Sequence, residues 1–250
     1  MARIWLIDIE SVETRYTKQW KTFFPALLRK NNHEVFVVEG PTDIPNATTP
    51  GAFLNFGGTN IYKANQIEQI SRAFTTGKVH EGDHIIFTDA WHPGITNIKY
   101  MSELLGIKVI THALWHAGSY DPQDFLGRLI NNAPWVRHAE KSFFHSYDHN
   151  YFATDFHVKL FFDELLLDGN NEPTDMYNEA YNNRFNNGKI VRCGWPMEYV
   201  RKELEAFKGM TKRNLILFPH RVAPEKQPEI FLDLKDTLTQ YEFEICMDKN

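Results

Sequence analysis

The sequence predicts an α/β doubly wound fold, and three observations carry that expectation. Short runs rich in β-branched residues alternate with longer segments of helical periodicity. The runs are spaced as parallel strands joined by crossover helices. Polar residues concentrate in the loops after several of these runs, where an open α/β sheet binds its ligands.

The first strand is expected at residues 4–9. Trp20, Phe23, Phe24, Leu27 and Leu28 then recur at helical spacing, and Asn31-Asn32-His33 ends that helix before a strand at 34–38. Residues 43–58, with their Pro, Thr, Asn and Gly, read as a loop. Residues 61–74 read as a helix with Ile67, Ile70 and Phe74 on one face. A strand at 83–88, a helix at 98–105 stopped by Gly106, and a strand at 107–113 repeat the rhythm. Residues 142–146 are expected as a strand, 150–160 as a helix and 189–193 as a last short strand. Residues 169–188, rich in Asn, Glu and Tyr, read as a surface excursion.

A charged helix is expected at 198–209, followed by a new strand at 214–218, a helix at 228–238 and a strand at 241–247. The expected organisation is a Rossmann-like domain over 1–207, then at 208–250 a linker and the first β-α-β of a second Rossmann-like domain. A doubly wound domain needs about 100 residues or more. Residues 208–250 are therefore expected to be an incomplete start, completed by a longer chain or by a second chain.

Of the 250 residues, 42% are hydrophobic and 24% charged, which excludes disordered, collagen-like and disulfide-scaffold classes. The formal charge of −5 argues against a chain that holds nucleic acid by net charge alone. Cys193 and Cys246 form neither a metal pattern nor a disulfide framework, and a cytoplasmic location is expected. The apolar start is broken by Asp8, as in a strand rather than a signal peptide, and no run of about 20 apolar residues suggests a membrane span.

Four polar loops are candidates for chemistry: 89–94, 112–121, 145–149 and 219–226. In the last, Arg221 and Lys226 straddle a strand-to-helix turn, where two cations beside a helix start suit a phosphate or diphosphate. The plainer alternative is a solvated loop with an ion pair to Glu225. His112 and His116 lie four apart, as do His145 and His149, but on a strand that spacing is too wide to share an ion. No metal site is expected, and there is no Asp-x-Asp, Gly-x-Ser-x-Gly, Walker loop or GxGxxG.

The segment Asn214-Leu-Ile-Leu-Phe-Pro-His-Arg-Val-Ala-Pro-Glu-Lys-Gln-Pro-Glu229 resembles the opening of the donor domain in GT-B glycosyltransferases. The likeness is to the retaining kind related to glycogen synthase and the group 1 transferases. Gly194-Trp-Pro-Met-Glu198 resembles that family's interdomain link. His116-Ala-Gly-Ser-Tyr-Asp121 is similar to its acceptor-domain loop, and Asn31-Asn-His-Glu-Val-Phe-Val-Val38 to its second strand. The stretch Trp115–Asp124 also looks like glycosyltransferases encoded by large tailed phages.

This resemblance implies transfer of a sugar from a nucleotide-sugar, with no metal or other cofactor. It implies that Arg221 and Lys226 hold the donor diphosphate, that His116 and Asp121 are catalytic, and that Asp89, His112, Gly118 and Ser119 contact sugar or acceptor. The phage likeness implies a hydroxymethylated base in DNA as acceptor, in the host cytoplasm. Arg128, Arg137, His138 and Lys141 would then supply the basic surface, although residues 137–141 also read as an ordinary solvated face. A tRNA or small-molecule acceptor is an alternative. A different class of alternative is a non-catalytic module that binds a nucleotide or a protein.

Overall fold

The structure, a computed structural model, describes residues 1–11, 15–45, 47, 54–130, 133–166, 181–220, 222 and 226–246. The chain divides into two units, Met1–Pro196 and Met197–Asn250. The division falls before the charged helix that sequence assigned to the first domain.

In the first unit the elements run β1 (Arg3–Ile7), α1 (Tyr16–Lys30), β2 (Glu34–Val38), α2 (Phe56–Thr75), β3 (His84–Phe87), α3 (Ile95–Leu104) and β4 (Ile110–Leu114). They continue as α4 (Phe125–Ile130), α5 (Pro134–Ser146), β5 (His149–Phe152), α6 (Asp155–Phe161) and β6 (Ile190–Arg192). The six strands form one parallel sheet in the order β2-β1-β3-β4-β5-β6. This is the expected Rossmann-like α/β arrangement. The chain moves outward from β1 to β2, then crosses back to β3 on the other side of β1, so the winding reverses between β1 and β3.

One buried cluster joins strand residues Trp5, Ile7, Ile85, Phe87 and Ala113 to Ile70 and Phe74 of α2, Ile95 and Ile98 of α3, Phe143 and Phe144 of α5, and Phe161 of α6. Helix α1 contributes nothing to it. Its Trp20, only 2% exposed, lies among Tyr16, Phe24, His116 and Trp195, with ring centroids 4.8–5.2 Å away. The Trp20 indole donates to the carbonyl of Pro196 at 3.0 Å, which folds the end of the first unit back onto α1.

Gln66 of α2 is fully buried and joins three strand ends. Its Nε2 donates to the carbonyls of Asp8 (2.9 Å) and Val38 (2.7 Å) and to Asp8 Oδ1 (2.9 Å). Its Oε1 lies 3.2 Å from His92 Nε2, on the loop after β3. The Tyr62 hydroxyl, one helical turn earlier, donates to Asp8 Oδ1 at 2.6 Å. The Tyr62 ring packs where a Cβ on Gly40 would sit, 2.3 Å from ring carbons, so Gly40 cannot carry a side chain.

Three segments differ from the sequence expectation. Helix α2 starts at Phe56 rather than 61, because the Asn55 side chain accepts from Gly58 N and caps it. Residues 142–146 are helix, not strand. Val136, Glu140, Phe143, Phe144 and Tyr147 lie on one buried helical face of α5, and a carboxylate in that face disguises its periodicity. Residues 150–160 begin as strand β5, and α6 starts only at Asp155 under a Thr154 cap. Asn150 disfavours a strand reading, but it is fully buried and bonds Trp115 Nε1 and the carbonyls of Phe144, Tyr147 and Lys189. The loop at 145–149 therefore precedes β5, at the edge of the sheet away from the carboxyl ends.

Most of the expected surface excursion, 169–180, lies outside the described residues. In the second unit α7 (Tyr199–Leu204) and a 3-10 turn (Glu205–Phe207) precede β7 (Leu215–Phe218), α8 (Pro228–Thr237) and β8 (Glu242–Ile245). Strands β7 and β8 pair in parallel, and Phe231 of α8 packs on Phe218 and Phe243. Leu217, which alternates with Phe218 along β7, is 47% exposed.

Replacing Gln66 with Met keeps the volume and removes the amide. It leaves the Asp8 carbonyl and His92 Nε2 without the Gln66 amide, and the Val38 carbonyl with only Asp8 N at 3.4 Å. The expected loss is about 3 kcal/mol in urea unfolding, from uncompensated buried polar groups; a loss within error of zero would show that the network is not stabilising.

Candidate functional site

A cavity of about 530 Å³ opens at the carboxyl ends of β1, β3 and β4, in the crevice beside the reversal of winding. Glu10 comes from the loop after β1, Asn60 and Lys63 from the first turns of α2, Asp89 and Trp91 from the loop after β3, and His116 from the loop after β4. Tyr16 of α1 and Trp195 close one side, and Asp124 with the apolar helix α4 closes another.

Lys63 and Asp89 form the charged floor. Lys63 Nζ lies 3.0 Å from Asp89 Oδ2 and donates to the carbonyl of Trp91 at 2.5 Å. Asp89 Oδ1 accepts from the Trp91 backbone N–H at 3.0 Å. Burial alone would raise the carboxyl pKa of Asp89, but Lys63, His116 and these hydrogen bonds outweigh it and hold Asp89 ionised. Glu10, beside them, is pushed upward by burial, against the pull of Lys63.

His116 lines the cavity, yet both its ring nitrogens are engaged by the protein. Nε2 lies 2.7 Å from the carbonyl of Thr88 and must donate to it. Nδ1, 2.7 Å from the Tyr16 hydroxyl, is then the acceptor. Burial lowers the imidazole pKa, in keeping with this neutral tautomer, and pushes the Tyr16 phenol up to about 12. His116 thus ties α1 to the end of β3.

Asp124 caps α4, accepting from Leu126 N at 3.0 Å. Burial is the largest influence on its carboxyl, opposed by backbone N–H groups and reinforced by nearby Asp121, and the pKa rises to about 6. It is a carboxyl facing the cavity that is poised to exchange a proton near neutral pH. His92, under the floor, is fixed neutral: Nδ1 accepts from Gly94 N at 3.1 Å while Nε2 faces Gln66 Oε1. Burial lowers its pKa to about 3.

Comparison of the sequence with protein-family models and with curated proteins gives no match.

Of the residues singled out in the sequence, Asp89 and His116 line one cavity. Asp121 is not at its lining. Its Oδ1 accepts from Gln123 N at 2.8 Å, a turn bond local to the loop. Gly118 and Ser119 are buried behind the cavity. Ser119 N and Oγ donate to the two oxygens of Glu140, each at 2.7 Å, and a Cβ on Gly118 would meet Glu140 and Tyr120. His112 does not line the cavity. It pairs with His149 at the start of β5, with His84 Nδ1 at 2.8 Å and the Tyr151 hydroxyl at 3.1 Å. Lys226 of the second unit is exposed, and Arg221 lies outside the described residues.

The proposed basic surface is not a single exposed face. Arg128 and His138 are exposed, Arg137 donates to the carbonyl of Glu164, and Glu140 between them is 0% exposed and also accepts from Trp91 Nε1. Among the described residues no three His, Cys, Asp or Glu side chains are grouped to hold a metal ion, and no helix is long and apolar enough to cross a membrane. Sequence reading missed Glu10, Lys63 and Asp124. Asp124 alone had a signal, since it ends the stretch with the phage-type wording.

Histidines 92, 112 and 157 carry a consequence for stability. Burial lowers them to about 3, about 4 and about 4, from an ordinary 6.5. Their contribution is complete above that ordinary value and is lost as pH falls toward the folded values. Asp8 and Asp124, both raised to about 6, act in the opposite sense between about 6 and 3.8 and offset part of the loss. The thermal midpoint is expected to fall as pH drops from about 7 to 5. A His92→Gln variant should show a shallower slope over that range, and an unchanged slope would remove His92 from the explanation.

Proposed function

We propose that the chain is a nucleotide-sugar-dependent glycosyltransferase of GT-B type, with the cavity of the first unit as its acceptor site. The observation that carries this reading is Asp124, a half-buried carboxyl of raised pKa facing a cavity at the carboxyl ends of a parallel sheet. The likeness of residues 214–229 to a donor-domain opening supports the donor half.

In the proposed reaction the acceptor hydroxyl oxygen forms a bond to the anomeric carbon as the bond from that carbon to the donor diphosphate breaks. The hydroxyl proton passes to Asp124, and the electron pair of the broken bond leaves with the diphosphate. Arg221 and Lys226 neutralise that leaving group, whose charge grows in the transition state, so fixed cations favour the transition state over the ground state. Asp89 and Lys63, locked to each other, orient the acceptor rather than react. His116, with both nitrogens occupied, shapes the wall. This replaces the catalytic roles expected of His116 and Asp121.

A hydroxymethylated base in DNA has less behind it as acceptor. The cavity lining carries Glu10, Asp89 and Asp124 against Arg15 and Lys63, the reverse of the balance that holds a polyphosphate. A non-catalytic binding module is the second reading, favoured by the engagement of both His116 nitrogens.

Two experiments test the proposal. With the full chain and labelled nucleotide-sugar, Asp124→Asn should lower turnover by about 10²-fold or more without weakening donor binding. The unmodified protein should lose turnover as pH falls through about 6. An undiminished rate in the variant would overturn the role of Asp124. Separately, Arg221→Ala should abolish calorimetric binding of a nucleoside diphosphate, and unchanged affinity would overturn the donor assignment.

A further inference from the structure

The walls of the cavity are chemically unlike its floor. Phe56 and Phe125 stack on each other across α2 and α4, with centroids 5.6 Å apart and planes at 23°. Trp91 and Trp195 line it further in, and Leu129 and Trp135 stand at it with 50% and 58% of their surfaces exposed. Large apolar side chains left in water beside a cavity gain by being covered, and flat rings gain further from ring-to-ring contact. The volume, about 530 Å³, suits one small molecule.

The polar groups select against charge. Lys63 already has its counter-ion in Asp89 at 3.0 Å. Glu10 and Asp124 are carboxyls that burial drives toward the neutral form, and an anion beside them would meet repulsion whenever they ionise. Among the described lining residues Arg15 and Lys63 stand against three carboxyls, Glu10, Asp89 and Asp124, so a phosphate would meet more negative than positive groups. A neutral hydroxyl, by contrast, can donate to a carboxylate and accept from the Asn60 amide.

We infer that this cavity binds an uncharged, flat aromatic body bearing one hydroxyl, such as a phenol or a fused-ring alcohol. The rings lie among Phe56, Phe125, Trp91 and Trp135, and the hydroxyl points at Asp124 and the polar floor. This deepens the proposed function by naming the acceptor class, and it rests on that reading only in calling the ligand an acceptor.

Calorimetry on the full chain, without nucleotide-sugar, tests it with three probes: 2-naphthol, its saturated counterpart 2-decalol, and 2-naphthyl phosphate. Saturable binding of 2-naphthol is expected, about tenfold tighter than either of the others. Trp135→Ala should weaken it about tenfold. Because Trp135 is largely exposed, that variant should keep its thermal midpoint. Equal affinity for 2-decalol would overturn the aromatic assignment, and tighter binding of the phosphate would make the site an anion site. No saturable binding of 2-naphthol would overturn the inference outright. Binding as expected, with no sugar transfer to 2-naphthol in the presence of any nucleotide-sugar, would sink the transferase reading and leave the binding inference standing. Transfer to DNA with no naphthol binding would do the reverse.

Discussion

The amide of Gln66 is the constraint on which the site depends. A parallel sheet ends in carbonyls that point past its carboxyl edge, and where the winding reverses no crossover helix covers the gap. In this protein the gap lies between β1 and β3. Gln66 reaches into it from α2 and satisfies the ends of β1 and β2 with one nitrogen, while its oxygen faces His92 after β3. The group is fully buried, so its hydrogen bonds cannot be exchanged for water. It fixes α2 against three strand ends at once. Since α2 also carries Lys63 and Asn60, the same contact fixes the floor of the cavity above it.

That arrangement explains why the titratable groups of this edge divide as they do. Beneath the floor, His92 has a donor on one side and an acceptor on the other, so a second proton would place two N–H groups face to face. It stays neutral and structural. In the floor, Asp89 has a lysine and a backbone N–H and stays ionised. Facing the open space, Asp124 has backbone N–H groups and the more distant pull of Arg128, but desolvation outweighs them. The partners, more than depth, decide which group can exchange a proton with a ligand.

The alternation of strands and helices was legible because most strands here are β-branched and most helices carry an unbroken apolar stripe. It failed where a buried polar residue is satisfied by the tertiary structure. Glu140 breaks the stripe of α5 yet is fully paired by Ser119 and Trp91, and Asn150 interrupts β5 yet bonds four partners. The partners of Glu140, and Trp115 and Lys189 among those of Asn150, are far away in sequence, so no local pattern could announce them. The site was legible to the extent that loops after strands collect polar residues: Asp89 and His116 are in the cavity. Asn60 and Lys63 were not, since they sit on the polar side of α2, where a lysine and an asparagine look like ordinary solvated residues.

His116 shows why residue type and position are insufficient evidence of chemistry. A histidine at the carboxyl end of a central strand is well placed to meet a substrate. The half-buried ring, however, packs against Trp20 and Trp195, and both of its nitrogens are already taken, by the Thr88 carbonyl and the Tyr16 hydroxyl. Using His116 on a ligand would mean breaking one of these bonds and stranding a buried Tyr16 hydroxyl or Thr88 carbonyl. The carboxyl of Asp124 is held differently, by backbone N–H groups at the start of α4, with Oδ1 accepting from Leu126 N. In the proposed reaction the proton therefore goes to Asp124, and the histidine belongs to the wall.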